Sequence, residues 1–260
     1  MTKSNYHTHT SRCHHAEGSD EDYVLSAIRG GYRTLGFSDH GPWHYASGFV
    51  SPTRMLPEEL EEYTGSLRRL QEKYAGRIDI KIGLECEYYP SMLPQLKEDV
   101  EKYGIEYLVF GNHHYHSDET SRYFGMFSTT EKMVRLYEES AIEGMETGLY
   151  ACLAHPDVFM GSYRCFDRLC EEVTRNICRT ANRLHLPLEY NLGCAAYCEA
   201  TGEQLFPHPD FWQVVAEEGS TAIIGVDAHL PECLEISRYF DKAVQTLDAL
   251  GIPRLESLNL

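Results

Sequence analysis

Two histidines near the start of the chain, His7 and His9, are separated by one residue. In an extended segment alternate side chains point to the same side, so the two imidazoles would share one face. Imidazole nitrogens are common ligands of transition metals. His14 and His15 follow within a few residues and add two candidate ligands. The segment therefore predicts metal binding, provided that the rest of the chain supplies further ligands.

The elements that would position such ligands are short apolar runs that alternate with amphipathic helical patterns. The predicted strands cover residues 5–9, 34–38, 78–85, 107–110, 151–154, 188–191 and 222–226. Strict alternation of strands and helices predicts an α/β fold with a parallel sheet. We expect a closed (β/α) barrel, because the length of 260 residues fits and no Gly-rich nucleotide fingerprint follows the first strand. A doubly wound open sheet is the alternative.

Histidines and carboxylates recur where the predicted strands end. The carboxyl ends of barrel strands meet at one edge, where such folds build their sites. Six of the seven strands bring a candidate ligand to that edge. The candidates are His7, His9, His40, Glu85, His113, His114, His155, Asp227 and His229. Glu87 lies two residues after Glu85 on the same strand face and is an alternative to it.

The candidate imidazoles and two carboxylates are more ligands than one metal ion can coordinate. They predict two or three divalent ions, and nitrogen with carboxylate ligands favours zinc, iron or manganese over magnesium or calcium. Clustered ions acidify a shared water and stabilise in-line displacement at phosphorus. Hydrolysis of a phosphate ester is the reaction that most needs this arrangement.

Composition excludes several other classes of function. The formal net charge of −17 repels a phosphate backbone, and no cluster of Lys or Arg offsets it, so we expect no nucleic-acid partner. No apolar run is long enough to span a membrane, and no signal peptide is recognisable, which predicts a cytoplasmic protein. The nine cysteines form no CxxC pair and are expected to stay reduced. Without a linker, residues 1–260 are expected to form a single domain, and nothing in them specifies an oligomeric state.

The candidate ligands lie in motifs that resemble the PHP (polymerase and histidinol phosphatase) family, and within it the monofunctional histidinol-phosphate phosphatases. The matching segments run in family order along nearly the whole chain. They are His7-x-His9-Thr10-x-x-Cys13-x-His15, Phe37-Ser38-Asp39-His40, Gly83-Leu84-Glu85, Gly111-Asn112-His113-His114-Tyr115, Ala154-His155-Pro156 and Gly225-Val226-Asp227-Ala228-His229.

This resemblance implies a distorted (β/α)7 barrel, similar to a TIM barrel, with three metal ions. It favours His15 over His14 and His114 over His113. The implied ligands are His7, His9, Glu85 and Asp227 for one ion, Glu85, His114 and His155 for a second, and His15, His40 and His229 for a third.

The resemblance also implies a reaction. A hydroxide that bridges the metals would hydrolyse a phosphate monoester of a small metabolite, with L-histidinol phosphate, from histidine biosynthesis, as the expected substrate. Asp227 or a nearby histidine such as His229 would protonate the leaving alkoxide. The alternatives are a PHP phosphoesterase that acts on a nucleotide or sugar phosphate, and a non-catalytic metal-binding or interaction module.

One segment departs from the family pattern. Related phosphatases have an arginine that contacts phosphate after strand six, whereas residues 191–197 of this chain contain none. Arg164 and Arg122, in other loops at the same edge, are the candidates for that contact. A surface ion pair is the alternative role for Arg164.

Overall fold

Seven short parallel strands form one sheet, in which each strand pairs with the strands that precede and follow it in the sequence. The structure, a computed structural model, describes residues 3–260, so the first two residues of the predicted domain 1–260 lie outside the described residues. The strands are β1 (Lys3–Asn5), β2 (Tyr32–His40), β3 (Asp79–Cys86), β4 (Tyr107–Phe110), β5 (Cys152–Leu153), β6 (Leu188–Asn191) and β7 (Ala222–Gly225).

Helices connect the strands. They are α1 (Asp20–Arg29), α2 (Leu60–Lys73), α3 (Leu93–Tyr103), α4 (Phe124–Phe127), α5 (Glu131–Glu146), α6 (Arg168–Leu184), α7 (Ala195–Thr201), α8 (Pro209–Glu217) and α9 (Ser237–Leu250). Polar side chains cap several of their first turns: Ser19 and Asp22 form a capping box at α1, and Asp167 accepts two backbone N–H bonds at α6. Among the described residues no helix is long and apolar enough to cross a membrane.

The sheet closes into a nearly complete barrel. The backbone N–H of His9 donates to Ala228 O at 3.0 Å, and Ala228 N–H donates to His7 O at 3.3 Å, so the segments beyond β1 and β7 touch. The side-chain oxygen of Asn5 accepts from the backbone N–H of Val226 at 2.8 Å. The sequential order confirms the predicted (β/α)7 barrel and rules out the doubly wound alternative, in which the strand order reverses.

Tyr107 fills the interior of the barrel. Its hydroxyl donates to the carbonyls of Tyr6 and Phe37 at 2.9 and 3.0 Å, which satisfies the polar end of a buried ring. A Cβ at Gly36 or Gly83 would overlap the Tyr107 side chain. Glycine at these two strand positions therefore makes room for the aromatic ring.

The C-terminal segment covers the base of the barrel, opposite the predicted site. The backbone N–H of Leu255 donates to Ala222 O at 2.8 Å, which adds a bridge beside β7. Leu258 is 7% exposed and packs with Tyr6, Tyr107 and other interior side chains. This segment closes the end of the core that the helices leave open.

The first strand is shorter than predicted. It ends at Asn5, so His7 and His9 lie beyond it rather than within it. Their segment pairs with Ala228 through an isolated bridge at Thr8 and accepts one bond from the backbone N–H of Ser38 on β2, too few pairings to extend the strand. The two rings nevertheless lie near each other, with centroids 5.1 Å apart.

Candidate metal centre

Glu85, at the end of β3, is the hub of a buried donor cluster. Its side chain is about 1% exposed, and five histidines from four other parts of the chain face its oxygens. The facing nitrogens are His155 Nε2 and His40 Nδ1 at 3.0 Å, His113 Nε2 at 3.3 Å, His7 Nε2 at 3.4 Å and His9 Nε2 at 3.6 Å. The parallel strands bring these residues together because their carboxyl ends meet at one edge.

Asp227 is the second carboxylate of the cluster and follows β7. Its Oδ1 lies 3.1 Å from His9 Nε2 and 3.5 Å from His7 Nε2. His229 Nδ1 is 3.4 Å from the same oxygen. The backbone of Asp227 has φ of +53°, a left-handed conformation that Asp tolerates better than most residues. Glu85 and Asp227 thus flank the pair His7 and His9 from opposite sides of the barrel edge.

Three further histidines extend the cluster outward. The ring of His9 lies 4.0 Å from that of His229 and 4.4 Å from that of His40, between centroids. The His15 ring is 4.8 Å from His229 and 5.3 Å from His40. His14 and His15 are both exposed, but of the two only the His15 ring contacts the rings of His40 and His229 among the described residues, so the structure brings His15, not His14, to the cluster.

Several buried atoms of the cluster lack hydrogen-bond partners among residues 3–260. They are His7 Nε2, His9 Nε2, His40 Nδ1, His229 Nε2, Glu85 Oε2 and Asp227 Oδ1. They face one another without the alignment of a hydrogen bond, and each such atom costs about 1–3 kcal/mol when it is left unsatisfied. Nitrogen and carboxylate lone pairs that converge in this way fit divalent cations. The cluster is therefore a divalent metal site.

The other ring nitrogen of most of these histidines is held by an oxygen. The pairs are His7 Nδ1 with Glu189 Oε1 at 2.8 Å, His9 Nδ1 with Asp39 Oδ1 at 3.4 Å, His113 Nδ1 with Glu87 Oε1 at 2.9 Å, His15 Nδ1 with Cys13 O at 2.7 Å, and His229 Nδ1 with Asp227 O at 3.1 Å. An acceptor at Nδ1 places the proton there and leaves the Nε2 lone pair for a metal.

Glu189 on β6 is a functional residue that the sequence analysis missed. Besides His7, it accepts from the backbone N–H of His155 at 3.1 Å and from the Asn191 side chain at 2.7 Å. A Cβ at Gly225 would overlap its carboxylate, so the neighbouring strand leaves space for it. The available signal was a carboxylate in the middle of a predicted barrel strand, a residue type that is rarely buried without a partner.

The metal-free cluster shares charge between imidazoles and carboxylates. Burial lowers the pKa of His7, but Glu189, Asp227 and Glu85 more than offset it and raise that pKa well above its usual value. Burial likewise lowers the pKa of His9, while hydrogen bonds to Asp227 and Asp39 raise it well above the usual value. Without metal, these two rings therefore hold protons that compete with a metal ion for the same nitrogens.

The outer rings behave in the opposite way. Burial and the nearby charge of His9 lower the pKa of His40 to about 3 and that of His229 to about 4. Burial would raise the pKa values of Glu85 and Asp227, but the surrounding imidazoles hold both well below their usual values. His40 and His229 are therefore neutral and the two carboxyls ionised, the states in which they bind metals.

The adjacent residues His113 and His114 lie in different environments. The His113 ring is 4.9 Å from the ring of His155, and its Nε2 faces Glu85. The His114 ring, like that of His113, is near Tyr123, at 5.9 Å, but no contact between it and either carboxylate of the cluster is found in the described part of the chain. The geometry favours His113 as the ligand, in place of the expected His114.

Arg122 and Arg164 are exposed. Arg164 forms a surface ion pair with Glu203 at 3.1 Å, and its side chain is 60% exposed. The Arg122 guanidinium lies 5.0 Å above the ring of Phe127. Across residues 3–260, the structure gives neither arginine a contact with the donor cluster. A phosphate contact from either arginine stays a prediction and would need its side chain to move toward the cluster.

Two aromatic rings border the cluster. The Tyr123 ring lies 5.8 Å from that of His113, and the Phe206 ring lies 6.2 Å from that of His155. They offer apolar surface beside the metal site, which suits the carbon skeleton of a bound ligand.

The chain belongs to the PHP family. The family model, described as the PHP domain, matches residues 5–192. A Deinococcus radiodurans protein named "Probable histidinol-phosphatase" is 26% identical over 94% of this chain and 92% of its own length. The "Histidinol-phosphatase" of Bacillus subtilis is 27% identical over 40% of each chain.

A solved structure shows the same fold. It is the histidinol phosphate phosphatase of Lactococcus lactis, in complex with zinc, L-histidinol and phosphate. The two chains superpose with a TM-score of 0.77 at 19% identity, over 100% of this chain and 99% of the other. The family and the barrel predicted from the sequence are thus both confirmed.

Proposed function

We propose that this chain is a metal-dependent phosphatase that hydrolyses L-histidinol phosphate to L-histidinol and phosphate. The observation that carries the proposal is the convergence of histidines and two carboxylates from six strands on one buried cluster. The class, a phosphoric monoester hydrolase, agrees with relatives named histidinol-phosphatase, one of them along nearly the whole chain. The identity of the substrate, L-histidinol phosphate, is proposed in addition to this reaction class.

The cluster would hold two or three divalent ions, with zinc, iron and manganese as the candidates. The family resemblance, with His113 in place of His114, gives the proposed sets: His7, His9, Glu85 and Asp227, then Glu85, His113 and His155, and then His15, His40 and His229. When bound, such ions acidify water and neutralise the oxygens of a phosphoryl group.

The protein's own residues prepare the site for that chemistry. Glu189 and Asp39 fix the rings of His7 and His9 so that both Nε2 atoms point to the cluster. Burial of Glu85 excludes bulk water from its inner side, which strengthens every charge interaction there. The Asp227 and His229 side chains are 14% and 30% exposed and form the open side, where a phosphate ester would enter.

The leaving alkoxide needs a proton in the transition state. Asp227 and His229, which the sequence nominates as donors, lie on the open side of the cluster. Because Asp227 is ionised and His229 is neutral in the metal-free protein, either group would have to take up a proton before it could donate one. A contact from Arg164 or Arg122 to phosphate would require the side chain to leave Glu203 or Phe127. Most of the positive charge that neutralises the phosphate group would therefore come from the bound ions.

The test is steady-state hydrolysis by protein loaded with Zn²⁺, Fe²⁺ or Mn²⁺. L-histidinol phosphate is compared with a nucleoside monophosphate, a sugar phosphate and a generic aryl phosphate. We expect the highest kcat/KM for L-histidinol phosphate and loss of activity in the His9→Ala and Asp227→Ala variants. Equal kcat/KM across the panel would refute the substrate. No hydrolysis by fully metal-loaded protein would leave only a metal-binding module.

We propose further that residues 1–260 act as one catalytic domain in the cytoplasm, as the sequence predicted. A small phosphorylated metabolite is the expected partner.

A further inference from the structure

Arg54 is a buried cation in the loop between β2 and α2. Its side chain is 3% exposed, and Nη1 and Nη2 donate to the two oxygens of Glu87 at 3.0 and 2.9 Å. Nε donates to Asp118 Oδ2 at 3.1 Å, and Nη1 also donates to Gly41 O at 3.1 Å. One guanidinium thus connects the loops that follow β2, β3 and β4.

Glu87, in turn, is fully engaged. Its Oε2 accepts from Trp43 Nε1 at 2.8 Å, in addition to Arg54. Its Oε1 receives the Nδ1–H of His113 at 2.9 Å, and its backbone carbonyl accepts from the Tyr150 hydroxyl at 2.7 Å. With every acceptor in use, the carboxylate has one orientation available.

His113 transmits that orientation to the metal site. With Nδ1 held by Glu87, its Nε2 lies 3.3 Å from Glu85 Oε1 and 3.2 Å from His155 Nε2. Arg54, Glu87 and His113 therefore form a continuous line of contacts from a loop outside the cluster to its hub.

Stability alone is a poor reason for this arrangement. Removing a guanidinium and a carboxylate from water costs as much as their attraction returns, and well-packed apolar side chains would serve the core equally well. A bidentate Arg–carboxylate pair instead gives defined geometry. Glu87 has to hold the His113 ring at a fixed angle, and the bidentate contact with Arg54 fixes the orientation of the Glu87 carboxylate that does so.

We propose that Arg54 is a positioning residue of the metal centre, which fixes Glu87 so that Glu87 holds His113 with Nε2 turned toward Glu85. The inference rests on the proposed metal site and does not depend on the identity of the substrate. Arg54 contacts neither Glu85 nor the histidines directly, so its effect on metal binding passes through Glu87.

The experiment measures Zn²⁺ affinity by competition with a chromophoric chelator. It compares the wild type with Arg54→Met and Arg54→Lys, and with Arg29→Met as a matched control at an exposed ion pair with Glu235. We expect Arg54→Met to weaken the binding of one ion by about 10–100-fold, the usual effect of losing a group that orients a metal ligand. Arg54→Lys should recover part of the affinity, since a lysine keeps the charge but not the bidentate contact. Arg29→Met should match the wild type.

Glu87→Gln is the second variant, because Arg54→Met leaves two buried carboxylates without a cation and destabilises the fold more. The amide keeps an acceptor for His113 but pairs poorly with Arg54, so the same ion should bind about tenfold more weakly. The imidazole ¹⁵N spectrum of the metal-free protein gives a direct readout: His113 should carry its proton on Nδ1 in the wild type and lose that fixed tautomer in Arg54→Met.

Several outcomes would overturn the proposal. Wild-type Zn²⁺ affinity in both Glu87→Gln and a folded Arg54→Met would do so, even if their melting temperatures fell, because a purely structural role predicts that result. A wild type that binds no Zn²⁺ would remove the metal site on which the inference rests. Failure to hydrolyse L-histidinol phosphate, with Zn²⁺ affinities that differ as expected, would refute the substrate and leave the role of Arg54 intact.

Discussion

Among single residues, the adjacent His113 and His114 test the ligand assignment, because of the two only His113 faces a carboxylate of the cluster in the described structure. We predict that His113→Ala lowers metal-dependent phosphatase activity and the affinity for one ion by at least about 100-fold, since even a group behind a ligand is worth about 10–100-fold. His113 faces Glu85 and His155, both buried. Activity and Zn²⁺ titrations on purified variants provide the measurement.

His114→Ala is the matched control for that prediction. Its ring lies beside Tyr123, apart from the carboxylates, so we expect activity and affinity within a few-fold of the wild type. If His114→Ala abolished Zn²⁺ binding while His113→Ala retained it, the assignment of His113 as the ligand would be wrong. His114, the ligand implied by the family resemblance, would then be the correct one.

The sequence predicted most of the residues of the cluster but few of those that orient them. His7, Glu85 and Asp227 were identifiable because ligands follow strands and the strands could be located. The choice between His113 and His114 depends on how the backbone turns after β4, which spacing does not encode. Glu189 was missed because its partner, His7, lies 182 positions away in the chain. Its role appears only when β6 is placed next to the barrel opening.

At the scale of elements, the alternation of apolar runs and helical patterns was enough to predict the barrel. The predicted bounds of β4 and β6 agree with the structure because both strands are short and flanked by clear breaks, although β6 carries Glu189 and Asn191. β1 was misplaced because its pairing is set by neighbours far along the chain. The C-terminal segment was not predicted at all, since its bridge to Ala222 leaves no periodic pattern.

That segment leads to a prediction about barrel closure. Leu258 is 7% exposed and packs in the interior beside Tyr107 and Ile223. We expect Leu258→Ala to lower the free energy of unfolding by about 2–5 kcal/mol, the usual cost of removing a buried leucine side chain. Urea unfolding of the metal-free protein, followed by circular dichroism, is the measurement.

Leu260 is the matched control, because it is two residues further on and 50% exposed. Leu260→Ala should change stability by no more than about 0.5 kcal/mol. Zn²⁺ affinity should stay unchanged in both variants, since the segment lies at the opposite end of the barrel from the metal site. Equal stability of the two variants would show that the segment does not close the core.

At the scale of the whole molecule, charge links metal binding to substrate binding. A formal net charge of −17 attracts divalent cations and repels a phosphate monoester. The repulsion is screened over about 8 Å at physiological ionic strength, so what the phosphate meets at close range is the local charge of the site. Bound ions reverse that local charge. We therefore expect metal binding to strengthen the binding of a phosphate ester.

Protons compete with those ions, which predicts how Zn²⁺ affinity depends on pH. Neighbouring carboxylates raise the pKa values of His7 and His9 well above the usual value in the metal-free protein, despite burial, so both rings are protonated at neutral pH. Zn²⁺ has to displace these protons, and each displaced proton changes the apparent affinity up to about tenfold per pH unit. We expect affinity to rise from about pH 6 to about pH 8.

Calorimetry in buffers of different ionisation enthalpy should detect proton release on binding. His40 and His229, with lowered pKa values of about 3 and about 4, are already neutral and should contribute none of it. Proton release should fall in His7→Ala and stay unchanged in His44→Ala, whose ring pairs with Asp99 outside the cluster. Binding that is independent of pH across this range would contradict the raised pKa values and the charge sharing inferred for the metal-free site.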